Sequence, residues 1–383
     1  MPKIKVIFFV CAVFASIEIF RVTLKSLTHC YTNHNGETFV FRDGSLYDMN
    51  TTDVDEHQVP NLTPSRTLDV SKDLLELSDE EFMIAQEIVQ TKRKQHLQKI
   101  CKQYHHETPN PLVVLNSSTD MMIDHRHRLV MCCTAKIAGT SWKRVFNVLT
   151  GLMKSTMSKQ GFGSNRLARK ISRIQYYKPK IASYILQNYT TFMFARNPLT
   201  RMLSAFNNKL APNATDKLNK MNWRNYGYNM IMRYRPWSSA LDRLEGESTR
   251  DPDKYDLTFH DFIKFLADDD NWQSHWNNHW IENHRFCHPC DIQYDVIGKY
   301  ETLLQDAKYI LKLTKVDNIV SFPESEGNAN TSTHSSDQEK VIAAFKDVPI
   351  VDIERVLQRY KLDFFLFNYT FPTEIDYISK WFN

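Results

Sequence analysis

The apolar positions between residues 128 and 149 change their period once, which predicts a strand followed by a helix. Residues 129–133 form a short continuous apolar run, typical of a buried strand. From Val145 onward apolar residues recur at helical spacing, and the small residues between the two patterns, Gly139 among them, indicate a tight loop. Such a loop directs backbone N–H groups and the positive end of a helix toward one point, which suits a phosphate group.

The same loop carries side chains that favour an anion. Lys136 adds a mobile positive charge, and the hydroxyl groups of Thr140 and Ser141 add hydrogen-bond donors. The Walker spacing, Gly-x4-Gly-Lys-Ser/Thr, is absent from this stretch of sequence. The sequence therefore predicts a phosphate-binding loop that differs from an ordinary ATP site.

A second apolar run, residues 190–195, predicts another strand, and Pro198 behind it fits the first turn of a helix. Arg196 would then follow the carboxyl end of a strand, where open α/β sheets bind their ligands. Because a guanidinium group offers paired donors, Arg196 and Ser204 are expected to clamp a second phosphate. A third apolar run, residues 294–298, leads into a predicted helix.

Charge is distributed unevenly along the chain. The whole sequence has a net charge of +4, yet no Asp or Glu occurs between Asp124 and Asp216, a span with sixteen Lys and Arg. An ordinary solvated surface mixes its signs, so this span favours contact with anions. Within it, the basic tract 154–180 predicts an electropositive groove for an anionic polymer, with a solvated helical surface as the alternative.

The N-terminus predicts delivery to the secretory pathway. Lys3 and Lys5 precede an apolar run over residues 6–17, shorter than the roughly 20 residues of a membrane span. Residues 1–20 therefore predict a signal anchor or a signal peptide, and a cleaved, secreted form stays open. Acceptor motifs for N-glycosylation agree with a lumenal body, at Asn50, Asn61, Asn116, Asn188, Asn213, Asn330 and Asn368.

Residues 21–107 are predicted to be a lumenal stem. Most of this stretch is polar and lacks sustained periodicity, which is typical of a flexible segment. Ser78 and Glu81 have the spacing of a capping box and predict a helix that ends near Tyr104. Prolines at 109 and 111 follow, so residues 108–383 are predicted to form the catalytic domain.

Aromatic, histidine and cysteine residues cluster between 223 and 290. Aromatic rings there could stack on sugars, although the core is the better assignment for any single ring. The Cys287-His288-Pro289-Cys290 segment raises the question of zinc, but it is one Cys-x2-Cys pair in a compartment that favours disulfides, so no metal is expected. The pairing of the cysteines stays open.

Residues 135–144 resemble the 5′-phosphosulfate loop of sulfotransferases, and residues 196–206 resemble their 3′-phosphate motif, Arg-Asp-Pro-x-x-Arg-x-x-Ser-Ala-Tyr/Phe. Residues 279–303 are similar to the carbohydrate sulfotransferases in His279-Trp280, in the Cys-His-Pro-Cys segment and in the third apolar run. The nearest branch contains the chondroitin and dermatan 4-O-sulfotransferases and the glucuronyl 3-O-sulfotransferase. The resemblance covers roughly residues 111–372 in a consistent order.

This resemblance implies an α/β, P-loop-like sulfotransferase fold with a central parallel sheet flanked by helices. It implies 3′-phosphoadenosine 5′-phosphosulfate as donor and an anionic glycan such as chondroitin as acceptor, at the 4-O position of GalNAc. It also implies a single-pass type II protein of the Golgi membrane with a lumenal catalytic domain. Nucleic acid is not an expected partner, and the oligomeric state stays unknown.

By the same resemblance, Lys136 neutralises the charge that develops beside the 5′-phosphate, and His279 is the general base, with His275 as a competitor. Ala135 and Asn197 depart from the family pattern, which usually has Pro and Asp there. A non-catalytic lumenal glycan-binding protein on the same scaffold is the alternative. The predicted nucleotide-binding residues are Ala135, Lys136, Ile137, Ala138, Gly139, Thr140, Ser141, Trp142, Arg196, Arg201 and Ser204.

Overall fold

The computed structural model describes residues 29–32, 38–42, 45–48, 77–104, 110–115, 117, 119–156, 166–211, 226–235, 257–268, 277–323 and 338–372. The predicted signal segment, residues 1–20, lies outside these ranges, as does most of the predicted stem. Within the described ranges, no helix combines the length and apolar character needed to cross a membrane.

The chain divides into two compact units, residues 1–69 and residues 70–383. In the smaller unit, β1 (His29–Thr32), β2 (Thr38–Arg42) and β3 (Ser45–Asp48) form an antiparallel sheet in that order. This sheet differs from the expected flexible stem. Hairpin pairing needs only short-range contacts between neighbouring segments, so it can form without the long periodic pattern that the sequence lacks.

The larger unit contains a five-stranded sheet in the order β6-β4-β5-β7-β8. Strands β5, β7 and β8 are parallel, whereas β4 is antiparallel to both β5 and β6. The expected parallel sheet is therefore correct for three strands and wrong for the β4 side. Only four residues separate β4 from β5, and so short a turn joins antiparallel neighbours. The bounds are β4 (Met121–Asp124), β5 (Leu129–Cys132), β6 (Ser172–Arg173), β7 (Thr190–Ala195) and β8 (Val296–Lys299).

Helices cover both faces of this sheet. Their bounds are α1 (Asp79–Tyr104), α2 (Gly139–Leu149), α3 (Pro179–Asn188), α4 (Pro198–Lys209), α5 (Tyr228–Tyr234), α6 (Phe259–Ala267), α7 (Asn283–Cys287), α8 (Leu303–Leu313), α9 (Gln338–Lys346) and α10 (Ile350–Leu366). Short 3-10 turns occupy Pro111–Leu115, Ile174–Tyr176 and Tyr300–Thr302.

Helix α1 begins with the predicted capping box. The Ser78 N–H donates to the Glu81 carboxylate over 3.0 Å, and the Glu81 N–H donates back to the Ser78 hydroxyl over 3.4 Å. This helix was assigned to the stem, but it packs within the larger unit. Arg93 donates to the Ile297 carbonyl over 2.8 Å, and the Gln90 side chain accepts the Ile297 N–H over 2.9 Å. The larger unit therefore includes this helix and begins before residue 108.

Side chains of β7 alternate between the two faces of the sheet, as an extended strand requires. Phe192 and Phe194 enter the apolar layer that contains α2, and Met193 and Ala195 enter the layer on the opposite face. A side chain at Gly298 would overlap the Phe194 ring, so glycine there permits the close approach of β8. The central strands are thus buried on both faces, and their carboxyl ends meet at one edge.

Candidate functional site

The predicted phosphate loop lies at that edge, between β5 and α2. Ala138 is the N-cap of α2 with φ 55°, it makes no side-chain cap, and the first helical turn contains no acidic residue. The first N–H groups of a helix have no partner within the helix, so this end is ready to receive an anion. Lys136 also has a positive φ of 67°, a conformation uncommon outside glycine and often found at ligand sites.

The loop turns back closely on itself at Gly139. A Cβ atom at this position would lie 3.2 Å from the Cys133 sulfur and 3.3 Å from the Thr134 carbonyl oxygen. Thr140 is exposed and Ser141 is half-buried, so both hydroxyls stand at the open end of α2. Glycine therefore permits the turn from which α2 begins with these two hydroxyl-bearing residues.

Lys136 reaches from the loop to helix α4. Its ammonium donates to the Asn208 side-chain oxygen over 3.0 Å. Burial, together with the positive charges of Lys209, Arg196 and Arg201, lowers the pKa of Lys136 to about 7. Among the described residues, the charges that act on this lysine are those of cations and no carboxylate pairs with it, so a bound anion would supply a counter-ion.

Arg196 follows β7, as predicted, and is fastened to the loop. It is 4% exposed and donates to the Lys136 carbonyl over 2.9 Å and to the Thr200 hydroxyl over 3.1 Å. Its guanidinium lies 4.1 Å above the centre of the Tyr300 ring, a cation–π contact. Burial lowers the pKa of Arg196. The side chain is held in one orientation beside the backbone of the phosphate loop.

One face of α4 connects the two predicted phosphate sites. Thr200, Ser204 and Asn208 are spaced four residues apart, so they share this face. Thr200 contacts Arg196 and Asn208 contacts Lys136. Ser204, which is 4% exposed, lies between them on the same row. Ser204 therefore lies on the row of α4 that runs between the contacts of the two cations, and its part in binding a phosphate stays a prediction.

Arg201 has a different environment. Its guanidinium donates to three backbone carbonyls, those of Ala135 over 3.3 Å, Ile281 over 2.6 Å and Asn278 over 3.2 Å. All three nitrogens are therefore engaged by the protein. These contacts favour a positioning role for Arg201, which ties the phosphate loop to the segment that carries His279.

Asn197, which departs from the family pattern, caps helix α4. Its side-chain oxygen accepts the Leu199 N–H over 2.9 Å, as an aspartate oxygen would. Its own N–H donates to the Glu301 carboxylate over 3.1 Å, and Glu301 also accepts the Tyr369 hydroxyl over 2.7 Å. The substitution therefore leaves the start of α4 intact.

Two predicted nucleotide-binding residues support the loop from beneath. Trp142 and Ile137 are each 1% exposed. The Trp142 ring packs 4.7 Å from Phe192 and 5.1 Å from Phe322, between ring centroids. Their side chains belong to the apolar layer below α2, so contact with a ligand falls to the backbone of this segment.

His279 lies beside the same cation cluster. Its Nδ1 is 2.7 Å from the Asn277 side-chain oxygen, which also accepts the His279 N–H over 3.0 Å. Since an amide oxygen only accepts, this contact assigns the proton to Nδ1 and leaves Nε2 as an acceptor. Burial holds the pKa of His279 well below its usual range, and the charges of Lys209, Lys136, Arg201 and Lys143 add to the effect. His275 lies outside the described residues.

Two disulfides bond the segment that follows His279 to β5 and to α1. Cys132 at the end of β5 is bonded to Cys287, and Cys101 of α1 is bonded to Cys290. The side chain of Asn283 accepts the Thr134 hydroxyl over 2.8 Å and donates to the Phe194 carbonyl over 3.0 Å. The Cys-His-Pro-Cys segment thus serves two disulfides, and no group of three potential metal ligands occurs in the described ranges.

Several contributors were not predicted. Asn208 could have been found, because it continues the four-residue spacing of Ser204 along α4. Lys209 acts through its charge on Lys136 and His279, and Tyr300 acts through its ring beneath Arg196. These contacts join segments that are distant in the sequence, so no local sequence pattern predicts them. Trp280, by contrast, is a core residue at 1% exposure, as the cautious assignment of the aromatic residues anticipated.

Comparison with known proteins finds a family profile and related sequences. The profile described as the sulfotransferase family matches residues 119–370. Carbohydrate sulfotransferase 11 of Rattus norvegicus is 32% identical over 267 residues, 69% of each chain. Carbohydrate sulfotransferase 14 of Danio rerio is 30% identical over 299 residues, which cover 77% of this chain and 75% of the relative. Carbohydrate sulfotransferase 9 of Homo sapiens is 27% identical over 290 residues, 75% of this chain and 61% of the relative. No solved structure matches the chain.

Proposed function

Since the chain belongs to the sulfotransferase family, we propose that it transfers sulfate from 3′-phosphoadenosine 5′-phosphosulfate to a glycan hydroxyl. One observation carries the proposal. A face of α4 links Lys136, beside an uncapped helix N-terminus, to Arg196 at the next parallel strand. A donor with phosphates at both its 5′ and 3′ positions matches two cationic sites held at a fixed separation.

The site's donors fit the two ends of this nucleotide. Lys136 and the first turn of α2 would hold the 5′ end, because they combine a mobile charge with backbone N–H groups. Arg196 and Ser204 would hold the 3′-phosphate, which distinguishes this donor from ATP. The lowered pKa of Lys136 supports this fit, since two phosphates would relieve the repulsion among the surrounding cations.

Sulfuryl transfer requires in-line geometry and stabilisation of charge on the leaving oxygen. Lys136 would supply that stabilisation at the bridging oxygen. His279 would accept the proton of the acceptor hydroxyl at Nε2, because its Nδ1 proton is committed to Asn277. Its lowered pKa keeps His279 neutral at physiological pH, which a base requires. Arg201 would hold the loop and the His279 segment in register.

We propose the 4-O position of GalNAc in chondroitin as the acceptor. The resemblance to the chondroitin and dermatan branch supports it, as does the absence of acidic residues from 125 to 215, which suits an anionic polymer. The relatives' names specify a carbohydrate acceptor.

The proposed location is the Golgi lumen, with residues 1–20 as a type II anchor. Two disulfides, Cys101–Cys290 and Cys132–Cys287, support an oxidising compartment. Two N-glycosylation motifs in the described ranges, at Asn188 and Asn368, are exposed. Because α1 packs within the larger unit, the proposed stem ends before this helix, near residue 69.

Full-length protein incubated with sulfur-labelled donor and a panel of glycans tests the function. Label on chondroitin would support both the chemistry and the acceptor, and label on another glycan would replace the acceptor alone. As a second measurement, the melting temperature is compared in the presence of 3′,5′-ADP and of ATP. The proposal expects a clearly larger increase with 3′,5′-ADP. A protein that transfers no label and prefers neither nucleotide would contradict the proposal in favour of a non-catalytic glycan-binding protein.

A further inference from the structure

Large apolar side chains are exposed together on α3 and on the segment before it. Tyr176 is 75% exposed, Tyr184 is 56% exposed and Ile181 is 47% exposed. Lys178 and Lys180 lie between them in sequence and are also exposed. Apolar and aromatic side chains grouped at a surface mark interaction sites more often than singly scattered ones do. We call these five residues the α3 surface.

The helical spacing places three members of this group, Lys180, Ile181 and Tyr184, on the solvent side of α3, while Tyr176 and Lys178 lie just before the helix. Lys180 and Tyr184 are four residues apart and Ile181 and Tyr184 are three apart, so they adjoin on one face. Ala182 and Ile185 lie on the other face and are buried in the layer beneath the sheet. Core packing therefore accounts for the buried side of α3 but not for the exposed aromatic side.

A neighbouring turn adds further basic side chains. The β4–β5 turn is fastened to both ends of α3, because the His125 ring lies 2.7 Å from the Tyr177 hydroxyl and 3.1 Å from the Tyr189 hydroxyl. The same turn carries Arg126 and Arg128, both exposed. The α3 surface thus has a cationic border on the side of this turn.

Formal charge on this part of the chain has a single sign. No Asp or Glu occurs from residue 125 to residue 215. The carboxylates of the adjoining strand are already engaged, Asp124 with the His127 ring over 2.6 Å and Asp120 with Arg173. Lys178 and Lys180 form no ion pair with the residues that the structure describes, so their charge favours an anionic partner.

The sheet topology relates this surface to the candidate active site. Strand β4 is antiparallel to both β5 and β6, so β6 runs in the same direction as β5. The chain that leads to Tyr176 consequently leaves the sheet at the edge where Lys136 and Arg196 lie. Helix α3 then runs back to the opposite edge, where the β4–β5 turn adjoins the start of β7, so the α3 surface extends away from the candidate active site. Only β4 separates β6 from β5, a lateral distance of about 10 Å between the two strands.

We propose that the α3 surface is a second binding surface for an anionic polysaccharide, which holds the acceptor polymer beyond the sugar that reacts. Lysine and arginine side chains would pair with uronate or sulfate groups, while Tyr176 and Tyr184 offer flat apolar faces to the sugar rings. A neutral or cationic partner would not pair with the positive charges of these lysine and arginine side chains. The expected effect of this surface on turnover rests on the proposed function. The binding of the polysaccharide to this surface does not depend on it.

The test compares a long chondroitin polymer with a chondroitin tetrasaccharide as acceptors of the full-length protein. In Lys178→Ser/Lys180→Ser, KM for the polymer should rise roughly 3- to 10-fold, the effect expected of two exposed ion pairs. The KM for the tetrasaccharide and both kcat values should stay unchanged. Lys99→Ser/Lys102→Ser, which removes two exposed lysines from α1, is the matched control. An equal effect on both acceptors, or an equal effect of the control, would overturn the proposal.

A binding experiment separates this inference from the proposed function. Retention on immobilised chondroitin is measured for the wild type, for the two lysine pairs and for Tyr176→Ser/Tyr184→Ser. Weaker retention of both α3 variants, with the α1 control unchanged, supports the surface even if no sulfate is transferred. Unchanged retention, or a loss confined to binding of phosphatidylserine vesicles, would overturn it and point in the latter case to a membrane contact.

Discussion

The ammonium group of Lys136 lies 3.0 Å from the side-chain oxygen of Asn208. This contact joins the phosphate loop to the helix that also carries Arg196's partner, Thr200, at its start. The two predicted phosphate sites are therefore joined by contacts to the same helix, α4. The contact also places a neutral oxygen, and no carboxylate, beside a lysine that is surrounded by cations.

Nucleotide affinity should depend on pH through Lys136. Its pKa is lowered to about 7, so the attractive ammonium is fully present below that pH and is lost as the pH rises through it. The affinity for 3′,5′-ADP, measured by calorimetry, should fall by up to about 30-fold between pH 6 and pH 8.5, one decade per pH unit above the pKa. Lys136→Ala should lack this step. A step retained in that variant would assign the titration to another group, such as Lys299, whose pKa is lowered to about 8.

Asn208→Asp should move the same step to higher pH. A carboxylate 3 Å from the ammonium favours its protonated form and raises the pKa of Lys136. Asn208→Leu, which removes the acceptor without adding charge, should leave the step at the lower pH or move it further down. Identical pH profiles for the two variants would show that Asn208 does not govern Lys136.

Lys136→Ala should strongly reduce transfer in a protein that stays folded. Removing one donor that stabilises charge in the transition state costs about 10²–10³ in kcat. The melting temperature should stay close to that of the wild type, because a half-buried lysine with a lowered pKa contributes little to stability. Lys346→Ala, at an exposed position of α9, is the control. Turnover similar to wild type in Lys136→Ala would remove this residue from the mechanism.

Arg196→Lys should weaken recognition of the 3′-phosphate specifically. Lysine keeps the charge but loses the planar guanidinium that spans Thr200, the Lys136 carbonyl and the Tyr300 ring. The affinity for 3′,5′-ADP should fall at least about 10-fold, the scale of a lost charge-assisted hydrogen bond, while that for 5′-AMP changes little. Arg355→Lys on exposed α10 serves as control. Equal losses for both nucleotides would place Arg196 outside the 3′-phosphate site.

The strands β5 and β7, the loop between β5 and α2, and the places of Lys136 and Arg196 beside them could be predicted, because short apolar runs and turn residues are local signals. That these residues and Ser204 bind phosphate stays a prediction. The roles of Arg201 and Trp142 were less predictable. A motif identifies a residue but does not state what its side chain contacts, such as the Thr200 hydroxyl and the Tyr300 ring for Arg196 or three backbone carbonyls for Arg201. Disulfide pairing and the antiparallel β4 depend on how distant segments meet, which periodicity does not encode.

Removing the Cys132–Cys287 disulfide should reduce both stability and turnover. Cys132→Ser/Cys287→Ser should lower the free energy of unfolding by about 2–5 kcal/mol, since the bond closes a loop with a sequence separation of 155 residues. Turnover per folded molecule should also fall, because this bond fixes the His279 segment to β5. Cys101→Ser/Cys290→Ser is the comparison, because it removes a bond farther from the loop. Equal turnover in the two variants would contradict a specific role for Cys132–Cys287.

His279→Gln should separate catalysis from nucleotide binding. Glutamine keeps a polar side chain in the half-buried site but has no group that accepts a proton at neutral pH, so kcat should fall by about 10²–10⁴. The affinity for 3′,5′-ADP should be unchanged or slightly higher.

The pKa of His279 lies well below its usual range. Protonation of this base should therefore not reduce wild-type activity until the pH is lowered below the usual range of a histidine pKa. Asn277→Ala, which removes the acceptor that holds the Nδ1 proton, should lower kcat less and leave KM for the donor unchanged. A His279→Gln protein with wild-type kcat would transfer the role of base to another residue.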